Sequence, residues 1–311
     1  MAETAELRLS EAVPLAHALV ARLAELQGVR ILFIKGPTAV ALGARPPRVS
    51  TDVDVLCEPG GLERLGPAME HSGWRRRLRK TAETRFVHAS QYLFDHSIHY
   101  IHDEWPCDID IHFNFPGFLA PDDVVFEELW TRHTSLNVAH WPVPCADYLG
   151  QAAIVALHAL RDPHLAHTAP DLQFVTQSLR GRGAPASHDL AALAAATGSA
   201  ETLRPVLEEL EITAPQGPSP DHELLRRWRV RTGDGSVPTT LWMIEVRNAK
   251  WSAKPRLVLR ALLPPTDALY SSHPDVPRSS RNTTRLLRKR WRRALPHLRR
   301  GVNAARRAEG R

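Results

Sequence analysis

Asp52 and Asp54, in the run Asp52-Val53-Asp54-Val55-Leu56, are the residues of this chain best placed to do chemistry. On a strand alternate side chains share a face, so D-x-D sets two carboxylates side by side, about 7 Å apart at Cα. Such a pair can share divalent cations, because Mg2+ takes a few carboxylate oxygens and leaves its other positions to water and phosphate. A third carboxylate from a neighbouring strand would complete a two-metal clamp for phosphoryl or nucleotidyl transfer, and could accept the proton of an attacking hydroxyl. Asp108 and Asp110 both lie on the polar face of the later run 108–115, and either can supply it. Repulsion among these acids needs cations or basic side chains to offset it. Lys35 and Arg48, flanking the loop before Asp52, are suitable counter-charges. A solvated strand face also produces D-x-D, but here the two acids interrupt an otherwise apolar strand.

The elements that must position these residues can be read from periodicity. Residues 10–27 carry apolar side chains at three- and four-residue spacing and predict an amphipathic helix, with Ser10 as N-cap and Gly28 as its stop. The run 29–34 predicts a buried strand. Lys35-Gly36-Pro37 predicts entry to a short helix, with proline at its first position. Strands are expected at 52–56, 85–87, 97–101 and 109–115, and a helix at 62–71. After Pro121 the pattern predicts helices (146–160, 172–179, 188–195 and 201–210) and no comparable strand. A proline-rich connector follows at 213–222, then apolar runs at 241–246 and 255–263, and residues 271–284 read as mobile. The expected fold is α/β: a small mixed sheet with flanking helices, followed by a mainly helical domain. The expected division is 1–120 for the sheet domain, 121–270 for the helical domain and 271–311 for a basic tail.

Composition narrows the partners. The chain has 311 residues and a net charge of +6, yet residues 278–311 hold thirteen Lys or Arg against one acid, leaving the rest acidic. The tail run 285–300 reads as a basic amphipathic helix broken near Pro296, able to touch RNA or an anionic membrane surface. Three cysteines without CxxC spacing argue against a disulfide framework or zinc site. No run is long enough to cross a bilayer and the N-terminus lacks a signal-peptide pattern, so a cytoplasmic location is expected. His96, His99 and His102 alternate as on a strand, which sets His96 opposite His99 and argues against a shared metal. His112 shares a face with Asp110, where it can orient substrate or Asp110 or simply pack beneath the site. Arg75, Arg76, Arg77, Arg79 and Lys80 read as a solvated face.

The runs F-I-K-G-P-T-A-V-A-L (33–42), R-V-S-T-D-V-D-V-L (48–56), Gly73-Trp74 and D-I-D-I-H-F (108–113) resemble the uncharacterised bacterial nucleotidyltransferase family. The resemblance spans roughly residues 10–270 and implies the polymerase-β-like nucleotidyltransferase superfamily. It implies that Asp52, Asp54 and Asp110 are the catalytic carboxylates and metal ligands, and selects Asp110 over Asp108. Gly36 matches the glycine of the helix-opening step, and Thr51 stands where relatives often carry serine. Pro37 replaces the superfamily serine that meets a phosphate, which leaves Lys35 and Arg48 to neutralise the nucleotide. The implied cofactor is Mg2+, up to two ions, with an NTP as co-substrate. The acceptor hydroxyl would belong to a small molecule, a peptide or protein, or an RNA end, with a peptide natural-product pathway as the suggested setting. The rival expectation is a non-catalytic, degenerate transferase fold that binds a peptide, nucleotide or RNA.

Overall fold

In a computed structural model, which describes residues 7–77, 96–163, 166–217, 219–232, 246, 249–264, 266–270 and 276–294, the apolar run after Gly28 becomes strand β1 (Ile31–Ile34). It follows helix α1 (Leu9–Leu26), whose N-cap is Arg8 rather than the expected Ser10. The Arg8 backbone N–H donates to the Glu11 carboxylate at 3.0 Å, so Glu11 supplies the acceptor that the cap residue lacks. Gly28, at φ +60°, takes the left-handed turn that ends the helix. Next come α2 (Gly36–Ala41), β2 (Asp52–Cys57), α3 (Leu62–His71), β3 (Arg75–Arg76), β4 (Ser97–Ile101) and β5 (Asp108–His112). The strand expected at 85–87 lies outside the described residues.

These strands join one seven-stranded mixed sheet in the order β3-β4-β5-β2-β1-β7-β6. Its last two members, β6 (Thr134–Val138) and β7 (Trp141–Cys145), correct the expectation that no strand follows Pro121. Pro142 and Pro144 hid β7, since proline cannot donate to a ladder and usually argues against an inner strand. Here β7 pairs antiparallel with β6 and meets β1 in parallel only at Phe33↔Cys145. The hairpin turn was hidden too. Ala139 and His140 both adopt positive φ, 50° and 63°, the two-residue hairpin geometry usually signalled by Asn-Gly.

The parity of β2 separates the two faces of the sheet. Val53, Val55 and Cys57 point with Phe33, Ile109 and Ile111 into a core closed by Ala16 and Val20 of α1 and Leu65 and Met69 of α3. Full burial of side chains this size stabilises by about 1.5–3 kcal/mol each. The opposite face carries Asp52, Asp54 and Asp110, so the same core that holds β2 rigid fixes where the acids point.

Helix α4 (Asp122–Thr131) precedes β6, and α5 (Tyr148–Arg161), α6 (Thr168–Arg182) and α7 (Ala184–Ala196) succeed β7. Asp147 caps α5 by accepting from Gly150 N at 2.8 Å. A short α8 (Arg204–Glu209) and α9 (His222–Thr232) come next. The described residues form two compact units, one of residues 7–77 and 96–225, the other from 226 onward. In the second, α10 (Lys254–Leu262) and α11 (Thr266–Tyr270) precede α12 (Ser280–Ala294), a helix that begins within the stretch expected to be mobile. Tyr270, Leu269 and Leu286 bury one another there. No helix among the described residues is long and apolar enough to cross a membrane.

Candidate functional site

Parallel pairing of β2 with β5 brings the acids together. Asp52 stands opposite Asp108, and Asp54 opposite Asp110. Antiparallel pairing of β4 with β5 then sets His99 against Asp110 and Ser97 against His112. The donor atoms of Asp54, Asp110 and His112 all lie within 4.8 Å of one another. Two of the three expected carboxylates therefore sit in one cluster, and the third, Asp52, is two residues along the same strand face.

Asp54 is buried and heavily engaged. The Lys35 ammonium lies 2.6 Å from Asp54 Oδ1, and His112 Nε2 lies 2.9 Å from the same oxygen. Burial alone would push the Asp54 carboxyl up, but Lys35 and His112 outweigh it and hold the group below the usual carboxylate range. His112 moves down because burial of its ring outweighs the pull of Asp54. Its Nε2 is thus the donor of a neutral imidazole. Among the described residues Asp52 has no such partner. Burial first, then the Asp54 charge, push it up to about 6 against the opposing pull of Lys35.

Lys35 reaches Asp54 because of an unusual backbone. It has φ 58° and ψ −151°, and Gly36 follows at φ 48°. A non-glycine residue held there costs of order 1–3 kcal/mol and persists only where its surroundings over-determine it. Gln151, fully buried on α5, does so: its Oε1 accepts from Lys35 N at 2.7 Å, and its Nε2 donates to Phe33 O at 3.0 Å and Thr38 Oγ1 at 3.1 Å. Thr38 Oγ1 in turn donates to Lys35 O at 2.9 Å. A Cβ on Gly36 would stand 3.3 Å from Ser50 Oγ, so the K-G step also packs closely on the loop before β2.

The other expected residues fall elsewhere. Arg48 makes a two-pronged pair with buried Asp171 of α6, both contacts at 3.1 Å, and Arg45 joins the same carboxylate at 3.2 Å. Thr51 is exposed in the bend before β2. Sequence reasoning missed Gln151, Asp171 and Arg161, and weighed His99 only with His96 and His102, not as a partner of Asp110. His99 Nδ1 contacts Asp110 Oδ1, and that bond raises the His99 pKa against the lesser effect of burial. Arg161, also buried, holds its guanidinium 5.8 Å from the Phe115 ring, and Lys35 Nζ stands 5.8 Å from the same ring. Arg161 Nη2 donates to His158 Nδ1 at 3.1 Å, and burial together with Lys35 and Arg161 pushes His158 down to about 3. Only the packing of α5 and α6 and the pairing of β4 with β5 would have revealed these partners, and no local pattern encodes them. Arg75, Arg76 and Arg77 pair with Asp103, Glu70 and Asp108, so this part of the basic stretch is a paired surface.

The donor set suits a hard cation. Both short contacts to Asp54 fall on Oδ1, which leaves Oδ2 with neither, and Asp110 faces it from the next strand. Carboxylate oxygens on adjacent strands are what Mg2+ prefers, with its other positions left to water and phosphate.

No family profile matches the chain, and no curated protein does. Among solved structures it is similar to the antibiotic-resistance factor ANT(2'')-Ia in solution, with 14% identity and a TM-score of 0.41 over 66% of this chain and 98% of that one. It is similar as well to an antigenic nucleotidyltransferase-like protein from Paracoccidioides brasiliensis, with 12% identity and a TM-score of 0.41 over 67% of this chain and 95% of that one. The crystal structure of ANT(2")-Ia in complex with adenylyl-2"-tobramycin gives 14% identity and a TM-score of 0.35 over 55% and 90%. Likenesses this distant decide nothing about activity.

Proposed function

We propose that the chain is a Mg2+-dependent nucleotidyltransferase that moves a nucleotidyl group from an NTP to an acceptor hydroxyl. The observation that supports this reading most is the opposition of Asp54 and Asp110 on parallel strands, with Lys35 turned onto Asp54. Asp52, Asp54 and Asp110 would hold the cations, which when bound would offset the charge of the triphosphate. Asp110 would take the proton of the acceptor hydroxyl as its oxygen bonds to the α-phosphorus and pyrophosphate leaves. His99 is held against Asp110 to steady it. Lys35, Gly36 and Thr51 line the approach to β2, and Arg161 stands across Phe115 from Lys35 as a further cation. Arg48 fixes that approach through Asp171 and reaches phosphate only when this pair opens. In this reading residues 1–120 carry the chemistry, and α5 of the helical part supplies Gln151 and Arg161. The acceptor is a small molecule, a peptide or protein, or an RNA end, in the setting of peptide natural-product assembly.

Incubation with each radiolabelled NTP and Mg2+ tests this, comparing wild type with Asp52→Ala. Transfer of label by wild type alone is expected. Absence of both transfer and an NTP-dependent thermal shift would refute it. A second reading, a non-catalytic nucleotide- or peptide-binding relative, draws on Pro37 and on the ion pair that already engages Asp54. It requires an NTP-dependent thermal shift that Asp52→Ala leaves intact, with no label transferred.

A further inference from the structure

The second compact unit carries a helix whose apolar side chains stand exposed. Helix α10 has no buried residue, and Val258, Leu259 and Leu262 lie at the three- and four-residue spacing of one face. Leu263 continues it, and Trp251, one turn before the helix, is 85% exposed with the Lys254 ammonium 4.7 Å from its ring. Isolated exposed leucines are ordinary, but a contiguous row ending in an exposed tryptophan marks an interaction surface.

Helix α12 adds charge to the same place. Trp291 Nε1 donates to Leu262 O at 2.9 Å, and Arg290 reaches Ala261 O at 3.4 Å, so the end of α10 is capped from α12. Arg281, Arg285, Arg288 and Arg292 recur every three or four residues, which aligns them along one exposed side of α12. Arg288 lies one turn before Trp291, whose indole reaches the end of α10. Residues 249–294 contain twelve Lys or Arg against two acids.

We propose that α10 and α12 form a docking surface for an anionic phospholipid bilayer. The arginine row meets headgroup phosphate, and Trp251 with the α10 leucines enters the acyl boundary. Two weak signals add here, apolar insertion and charge, as interfacial binding requires. A nucleic-acid strand would satisfy the arginines alone and would leave three adjacent aliphatic side chains of α10 in water. The lipid surface satisfies both.

The test uses the full-length protein in co-sedimentation with vesicles of phosphatidylcholine alone and of phosphatidylcholine with phosphatidylglycerol. Binding is expected only to the anionic vesicles. Reversal of Arg285, Arg288 and Arg292 to Glu should weaken it about fivefold or more per residue. The pair Trp251→Ser and Leu259→Ser should weaken it at least about tenfold, as both side chains lose apolar burial. Brominated lipid should quench wild-type tryptophan emission, which checks insertion without any variant. Failure to bind anionic vesicles, or absence of quenching, overturns the proposal. So does binding that the Ser variants leave unchanged, and tight binding to single-stranded RNA in place of vesicles would assign the arginine row to nucleic acid.

Discussion

Asp54 and Asp110 are register partners on adjacent parallel strands, and among the described residues only Asp54 of the two is neutralised by a buried lysine. The two acids are therefore unequal. Asp54, despite its burial, is held below the usual carboxylate range by Lys35 and His112, while Asp110 meets the more accessible His99. This asymmetry suits a site in which one carboxylate holds charge and the other handles a proton.

Removing either member should separate stability from activity. Asp54→Asn leaves the Lys35 ammonium buried without its counter-charge, a loss of about 3–5 kcal/mol when a buried pair is broken. Asp110→Asn breaks no buried lysine pair and should cost less stability, with nucleotidyl transfer reduced about a thousandfold in both, in line with several kcal/mol of lost charge stabilisation. Denaturant melts alongside label transfer check the contrast.

Asp52→Asn should make the protein more stable and inactive. Asp52 is pushed up to about 6, above its unfolded value, so the folded state binds the extra proton between about pH 4 and 6. Its contribution is favourable below that window and is lost as pH rises through it. At pH 7 the charged Asp52 costs roughly 1–3 kcal/mol, which the neutral amide should recover as a higher Tm. Mg2+ should raise the Tm of wild type more than that of the variant.

His17 should set an acid limit on stability. It is fully buried on the inner face of α1, stacks on Phe33 at 4.8 Å, and burial pushes it down to about 4. The unfolded chain binds this proton from about pH 6.5 downward and the folded chain does not, so stability falls as pH drops from about 6.5 to 4, by roughly 3 kcal/mol. His17→Leu should flatten that part of the stability profile, measured by urea melts at several pH values.

Arg48 can be assigned by a double-mutant cycle with Asp171. Asp171→Asn strips two arginines of a buried partner and should cost roughly 2–4 kcal/mol, below the full buried-pair figure because Arg48 keeps some solvent contact. If Arg48 acts only through Asp171, Arg48→Ala should raise the KM for NTP no more than Asp171→Asn does. A larger effect of Arg48→Ala would assign it direct contact with phosphate.

The strand pair at the centre of the site was legible because it obeys simple parity: Asp52 and Asp54 on one face, Val53 and Val55 on the other. The run 108–112 repeats the rule, and the structure sets it in register beside the first. The helices from 148 to 196 were legible from spacing, within a few residues of their ends. The hairpin at 134–145 was not, because its inner strand carries two prolines and its turn lacks glycine. The long-range partners of the two basic residues were not legible. Gln151 and Asp171 lie more than a hundred positions from Lys35 and Arg48, which they hold, and nothing local distinguishes them from other polar residues on helices.

The hydrogen bonds from Gln151 also limit how the site can be moved. A fragment ending at residue 120 would keep all three carboxylates and Lys35, yet lose the amide that clamps the Lys35 backbone. The portable module is thus larger than the acidic strand pair. Any chimera that transplants the site into another scaffold must bring residues 148–161 with it, or evolve a substitute for that one side chain.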